Sequence, residues 1–576
     1  MVQVHLDLSE AREHLVGVCL RLEPRLARMQ LQLPGWTPGS YLIRDYVRQL
    51  EALEATQNGS ALRLTRTGPA AWQLQCEPDA GTVEIRYRVL ATELSVRTCH
   101  LDQDHGFLAL AAVVLELEGE RWSPHQLHCT LPPGWQAFLP LDPHPEGGWL
   151  TRDFDQLIDT PLEAGPHDEH RFSVLGVPHR WVCWGGPAGA DRWLLERHPQ
   201  LFSDLQRVCE ACCSLMGVSR PAADRYLFVL HLLDEGYGGL EHDDSTVLVF
   251  GRRRFEKPDG YRRFLQLVAH EYLHQWNVRR LRPAELTPID YHRPVVVPTL
   301  WFAEGVTSYL DQFLPLQAGL SQDDDLLSDL GDDLSRYRLT PGRQVQSLRS
   351  SGEEAWIKLY KADAYSADSQ VSYYLKGAVV ALCLDLHLRR QGSSLVAVLR
   401  QLWQSHGRHG RGYSEADLVE AFAAQAADLR QQLPRWLEEL DDPDLDGYLS
   451  SVGLQLEAEM ATSPWAGFSA RLEAGLLSVQ RVVRGSPAAR AGLMVGDELI
   501  AIGGERLRQP EQIGAALQAG AEQELLIARR SQLRALSLSP EPPAVERWRL
   551  VRCSDADAAA LQRQRSWLQQ EPLALG

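Results

Sequence analysis

His270-Glu271-Tyr272-Leu273-His274 decides how this chain is read. The stretch lies in a segment, from Tyr261 onward, where Phe264, Leu265, Val268, Leu273 and Trp276 recur at helical spacing and Pro283 bounds the pattern. On a helix, positions i and i+4 sit one turn apart on one face. His270 and His274 can therefore share one small cation. Glu271 falls beside that cation, placed to take a proton from bound water, which is the arrangement of a zinc peptidase helix. A catalytic zinc takes three protein ligands and keeps one position open for water. The next helical segment, about 301–313, reads Trp301-Phe302-Ala303-Glu304-Gly305-Val306-Thr307. An acid among apolar neighbours needs a partner, so Glu304 is the expected third ligand. Asp311, further along, is a less well placed competitor. One Zn2+ per chain is expected.

Upstream, the run 226–233 reads as a buried strand, followed by the Gly-rich 235–239 and a second strand at 246–250. In Gly238-Gly239-Leu240-Glu241-His242 the glycine pair lets a substrate backbone approach closely. The adjacent acid can pair with a free α-ammonium group, which favours an exopeptidase over an endopeptidase. The competing reading is a tight turn with solvated Glu241, Asp243 and Asp244. Downstream, Ser372-Tyr373-Tyr374-Leu375-Lys376-Gly377 opens a helical stretch, where the two tyrosines serve either packing or catalysis.

Extended through Gln275-Trp276-Asn277-Val278-Arg279-Arg280-Leu281-Arg282-Pro283, the opening stretch resembles the signature helix of the glycyl aminopeptidase-like family of zinc metallopeptidases, of gluzincin type. Trp36-Thr37-Pro38-Gly39-Ser40-Tyr41, a rigid Pro/Gly/aromatic loop suited to packing on another surface, resembles that family too. The likeness covers nearly the whole chain. It implies a β-rich N-terminal domain, a thermolysin-like catalytic domain and a C-terminal PDZ domain. Gly238–His242 is similar to the Gly-x-Met-Glu-Asn exopeptidase motif of the aminopeptidase N and leukotriene hydrolase family. Glu241 then matches the amine-binding Glu, with Leu240 in place of Met and His242 in place of Asn. Tyr374-x-Lys376-Gly377 resembles the Tyr-x-Lys-Gly motif of the same enzymes, whose tyrosine donates to the oxyanion. A neutral phenol suits that role, because its hydrogen bond strengthens as negative charge develops. Tyr373 is the alternative if the register differs by one.

These features predict a multidomain α+β chain. A β-sandwich-like domain spans 1–165, with period-two stretches such as Val83-Glu84-Ile85-Arg86-Tyr87-Arg88-Val89 and turns at Asn58-Gly59 and Pro133-Gly134. The catalytic domain spans 166–315 and a helical lobe completing the active site spans 316–452. A PDZ domain spans 453–545 and a tail 546–576, the tail with a possible amphipathic helix at 558–568. The PDZ reading rests on Gly485–Leu493, where Pro487 starts a helix and Gly492 ends it. A strand at 499–502 follows with its glycine turn. Trp465-Ala466-Gly467-Phe468 stands at the carboxylate-binding loop, and 509–518 is the expected groove helix. Such grooves bind a peptide C-terminus by strand addition; the alternative is a packing domain with an empty groove.

The expected activity is zinc-dependent removal of N-terminal residues from peptides with a free amine. The resemblance implies a preference for Gly or Ala. A PDZ-assisted zinc endopeptidase is the alternative, followed by a non-catalytic PDZ scaffold.

Composition narrows the rest. The 576 residues are 44% hydrophobic and 23% charged, enough apolar material for large cores. The net charge of −18 opposes nucleic-acid binding, which relies on clustered Lys and Arg. The longest apolar run, Phe107 to Leu115, falls short of the roughly 20 residues a membrane span needs. The N-terminus lacks a basic flank with an apolar core, so a cytoplasmic location is expected. Cys209, Cys212 and Cys213 read as buried helical thiols rather than a metal site. His167, His170, His406 and His409 read as surface or loop histidines.

Overall fold

The computed structural model describes residues 1–186 and 190–570. The chain divides into two compact units. One holds Met1–Val297, Phe313–Ser321 and Leu399–Ser414; the other holds Pro298–Gln312, Gln322–Val398 and the residues from Glu415 onward.

The first unit begins with β-structure. A seven-stranded sheet runs in the order Trp149–Thr151, His125–Thr130, Val2–Asp7, Leu15–Leu22, Val83–Leu90, Leu50–Gln57, Ser60–Ala61, accompanied by two four-stranded sheets. Val83–Leu90 shows why these segments are strands: Val83, Ile85, Tyr87 and Val89 are buried while the residues between them face outward. The pairing in this sheet is not wholly antiparallel. Val2–Asp7 pairs parallel to His125–Thr130, which the long connection between them permits.

A five-stranded mixed sheet follows, in the order Glu169–Val174, Val177–Trp184, Tyr226–Leu233, Ser245–Gly251, Tyr237–Glu241. Its centre is parallel. Tyr226–Leu233 is buried almost throughout, and such a strand reads as a near-continuous apolar run rather than alternating, interrupted here by His231. The helices Leu201–Met216 and Gly260–Leu273 pack together in this unit. Cys209, Cys212 and Cys213 lie fully buried on the first of them. Burial pushes the Cys213 thiol up to about 12. The second helix ends at Leu273, earlier than the apolar spacing suggests. His274 caps it in helical conformation, and the chain continues to Leu281 in turns.

In the second unit, Trp301–Gly305 is a π-helical turn that passes into the α-helix Val306–Leu310. The expected single helix over 301–313 thus carries a wider first turn and ends sooner. Gly305 and Gly377 explain how this element meets the 18-residue helix Tyr373–Arg390. A Cβ on Gly305 would lie 2.5 Å from Gly377 Cα, so the two backbones touch. The stretch Ser366–Arg390 is long and apolar enough to cross a membrane by length and composition, yet 89% of its apolar window is buried in the protein. That is the character of a core helix.

The PDZ sheet is ordered Phe468–Glu473, Leu476–Val482, Glu498–Ile502, Gln523–Arg529, Gln532–Leu538, around a core including Leu477, Val479, Leu499, Leu525 and Ile527. Ser486 caps the short helix Pro487–Arg490 through the Ala489 N–H. The groove helix, Glu511–Ala516, is shorter than expected. Leu454–Met460 pairs with Val545–Arg552 in a separate ribbon. The ribbon packs on the helix Asp323–Arg338, where the Trp548 N–H donates to Ser335 Oγ at 2.9 Å. The helix Ala558–Leu568 is anchored, not loose. Trp567 Nε1 donates to Tyr309 Oη at 2.7 Å, and that hydroxyl donates to Asp385 Oδ2 at 2.7 Å. Arg389, on the helix that carries Asp385, reaches the Ser566 carbonyl at 3.0 Å and Gln570 Oε1 at 2.9 Å.

Candidate active site

In the first unit the helix Gly260–Leu273 brings the two motif histidines together. Their ring centroids lie 4.6 Å apart at 90°. His274 is buried, and its Nδ1 lies 2.6 Å from the Asn277 carbonyl. A carbonyl only accepts, so Nδ1 carries the proton in neutral His274 and Nε2 keeps its lone pair. Tyr272, between the two histidines, ties the helix to the sheet. Its hydroxyl meets His179 Nε2 at 2.9 Å, while His179 Nδ1 donates to the Val177 carbonyl at 2.9 Å. Burial pushes His179 down to about 4.

Glu241, Glu271 and His274 are all buried and offer ligand atoms within 4.8 Å of one another. The stretch 237–241 is the antiparallel edge strand, not a tight turn, and Glu241 is 4% exposed rather than solvated. Two glycines make this crowding possible. A Cβ on Gly239 would lie 2.3 Å from Glu271 Cδ. A Cβ on Gly39 would lie 2.5 Å from Glu241 Oε2, and Gly39 has φ +81°. The loop 36–41 therefore packs against the Glu241 carboxylate. The loop is held there by Trp36 Nε1 donating to the Asp290 carbonyl at 2.8 Å. Glu241 Oε1 is buried without a hydrogen-bond partner.

His242 stands where the resembling motif has Asn, and it takes up a local network. Its Nδ1 lies 3.1 Å from Asp159 Oδ1. Arg279 donates to Asp159 Oδ1 at 2.7 Å and to Asp243 Oδ1 at 2.9 Å. Burial opposes the Asp243 charge, but Arg279, Arg280 and Arg282 outweigh it and hold the carboxyl well below its usual range. This network ties the turn after Glu241 to the turns after His274. Asp159 lies 120 residues from Arg279, and no local pattern signals the pair.

In the second unit, Glu304 sits in the π-helical turn, 1% exposed. Asp311 instead caps the helix that follows. Tyr374, in the first turn of its helix, is half-buried, whereas Tyr373 is fully buried. Burial, then Glu304 and Tyr360, raise the Tyr374 phenol well above its ordinary value. Tyr360, absent from the sequence reading, lies 3.5 Å from the Tyr374 hydroxyl and 3.4 Å from that of Tyr373. Lys376 is buried, its Nζ 4.0 Å from Asp442 Oδ1. Gly377 provides the helix–helix approach described above.

This is a multidomain α+β fold of the thermolysin-like aminopeptidase class, with a β-rich N-terminal part and a C-terminal PDZ domain. More particularly, residues 3–166 match the Peptidase M61 N-terminal domain, 263–380 the M61 glycyl aminopeptidase and 478–530 a PDZ domain, so the chain carries both M61 domains in order. It is similar to the crystal structure of an aminopeptidase N family protein from Idiomarina loihiensis, with 29% identity over 99% of this chain and 100% of that one and a TM-score of 0.90. A more distant likeness is to Legionella pneumophila aminopeptidase A in complex with aspartic acid. It has 13% identity and a TM-score of 0.50 over 94% of this chain and 57% of that one, and shows the fold alone.

Proposed function

We propose that this peptide hydrolase is a zinc-dependent aminopeptidase. His270, His274 and Glu304 would hold the ion, Glu271 would act as the base, Tyr374 as the oxyanion donor and Glu241 as the amine clamp. The observation that carries the reading is the meeting of His274, Glu271 and Glu241 within 4.8 Å, with the His274 proton committed to Asn277. The paired imidazoles of His270 and His274 are nitrogen donors that suit zinc, and Glu271 and Glu241 stand beside His274 for proton transfer and amine binding. Bound there, zinc supplies Lewis acidity, lowering the pKa of water and polarising the scissile carbonyl.

The residues divide the remaining work. Glu271 accepts the proton of the attacking water and returns it to the leaving amine. Tyr374 donates a hydrogen bond to the developing oxyanion; its partial exposure favours it over buried Tyr373. Glu241, with a buried oxygen lacking a hydrogen-bond partner, receives the substrate ammonium. Gly238 and Gly239 leave room for the substrate backbone. The crowding of Gly39 and Leu240 around Glu241 supports a preference for small first residues, since a side chain beside the clamped amine meets that loop. The PDZ domain suggests peptide binding, and we assign it peptide C-termini through the open edge of Phe468–Glu473.

The decisive assay compares Gly-, Ala- and Leu-terminated amides, free and acetylated, with zinc content measured on the same samples. Cleavage of free Gly and Ala amides by zinc-loaded protein is expected. Equal turnover of acetylated substrates would replace the aminopeptidase reading with the endopeptidase one.

A further inference from the structure

His105, Glu163 and His231 come together in the first unit from three separate places in the sequence. His105 precedes the strand Gly106–Ala109, Glu163 lies on the neighbouring strand Pro161–Gly165, and His231 lies on Tyr226–Leu233 of the mixed sheet. All three are 0% exposed. One ligand atom of each lies within 4.8 Å of the others. We propose that these three side chains form a second divalent-cation site, of zinc type, remote in sequence from the proposed catalytic ligands.

The polar groups here lack the partners that a histidine core would need. Neither nitrogen of His105 has a hydrogen-bond partner, and the closest carboxylate oxygen, Asp102 Oδ1, is 3.8 Å from Nδ1. His231 Nδ1 is likewise unpartnered. Buried polar atoms are nearly always satisfied, and exceptions call for an ion, a water or a function. An apolar ring would fill the His105 position at lower cost, because that imidazole already stacks on Trp184 with centroids 3.7 Å apart.

Glu163 is arranged as a ligating carboxylate. Oε2 lies 2.9 Å from His231 Nε2, and Oε1 lies 2.8 Å from His167 Nε2. With an ion between Oε2 and the two ligating imidazoles, His167 remains on the other oxygen and holds the carboxylate in orientation. All three side chains are fully buried, and a divalent ion would balance the Glu163 carboxylate among them. Two imidazoles and one carboxylate favour zinc over calcium or magnesium, which take oxygen ligands. A cleft of about 1020 Å³ lined by Asp104, His167, Asp168, Trp184 and Asp191 lies beside the cluster, where His167 meets Glu163 and Trp184 stacks on His105. The ion would clasp the N-terminal β-structure to the mixed sheet.

The test uses untagged full-length protein, stripped of metal, reloaded with Zn2+ and dialysed, with metal content measured by mass spectrometry and folding by circular dichroism. Wild type is expected to hold two equivalents and H270A/H274A one. His105→Phe, which keeps the ring stack, and His231→Gln should each lose one equivalent. In Co2+-loaded H270A/H274A the visible d–d absorption should vanish on adding H105F. Folded H270A/H274A without metal, or H105F with unchanged content, would overturn the proposal. If H105F and H231Q both fail to fold, the metal content of H270A/H274A alone decides it. Should wild type hold one equivalent that H105F removes, this site stands and the catalytic ligand assignment falls instead.

Discussion

The Glu241 carboxylate lies so close to Gly39 that a β-carbon on Gly39 would sit 2.5 Å from Oε2 and 2.7 Å from Oε1. Gly39 also holds a left-handed backbone, φ +81°, which costs a residue with a β-carbon about 1–2 kcal/mol. Gly39→Ala should therefore lower stability by about that amount and displace Glu241. The Michaelis constant for free-amine substrates should rise, and thermal melting with steady-state kinetics reads both effects. Unchanged kinetics in a destabilised variant would separate the loop from substrate binding.

Glu241 itself is expected to discriminate by substrate. Glu241→Ala should depress turnover of Gly- and Ala-terminated amides while leaving any slow cleavage of acetylated ones unaltered. A parallel loss on both kinds of substrate would mean that the carboxylate supports the site generally rather than clamping the amine.

Glu271→Gln keeps the size and polarity of the side chain and removes its basicity. Turnover should fall by about 10²–10⁴-fold, the usual contribution of a positioned acid–base group, with zinc content unchanged. A metal-loaded variant that still hydrolyses peptides would take the proton-transfer role away from Glu271.

His179 gives a pH prediction. Burial pushes it to about 4 in the folded protein, against about 6.5 unfolded. The unfolded chain binds a proton in that window and the folded one does not. The contribution is therefore whole above pH 6.5 and lost as pH falls towards 4, by about 1.4 kcal/mol per pH unit at most. Denaturation between pH 7 and 4.5 should show His179→Gln with a shallower acid dependence than wild type, by up to one proton. Identical slopes would contradict the assignment.

Much of this architecture is legible along the chain where it depends on local periodicity. The helix Gly260–Leu273 follows from its apolar spacing, the strand Tyr226–Leu233 from an apolar run that only His231 interrupts, and Pro487–Arg490 from its cap and proline. The stretch 237–241 is harder. Its glycines fit a substrate-facing segment or a tight turn equally by pattern, and pairing with Ser245–Gly251 makes it a strand; pairing is not a property of the stretch itself. The π-helical turn at Glu304 accompanies a glycine-to-glycine contact with a distant helix, which no helical wheel reveals. Illegible altogether is the meeting of His231 and Glu163, 68 residues apart. His167, read as a loop histidine, has a side chain only 7% exposed and rests against that carboxylate.

Trp567 follows Tyr309 by 258 residues, yet its indole fastens the helix that continues from Glu304, while Ser566 and Gln570, through Arg389, fasten the helix Tyr373–Arg390. Ribosomal synthesis runs in one direction. Glu304 and Tyr374 are therefore translated long before the segment that secures them exists. A chain still missing residues 558–570 therefore lacks the indole, carbonyl and amide groups that fasten these two helices.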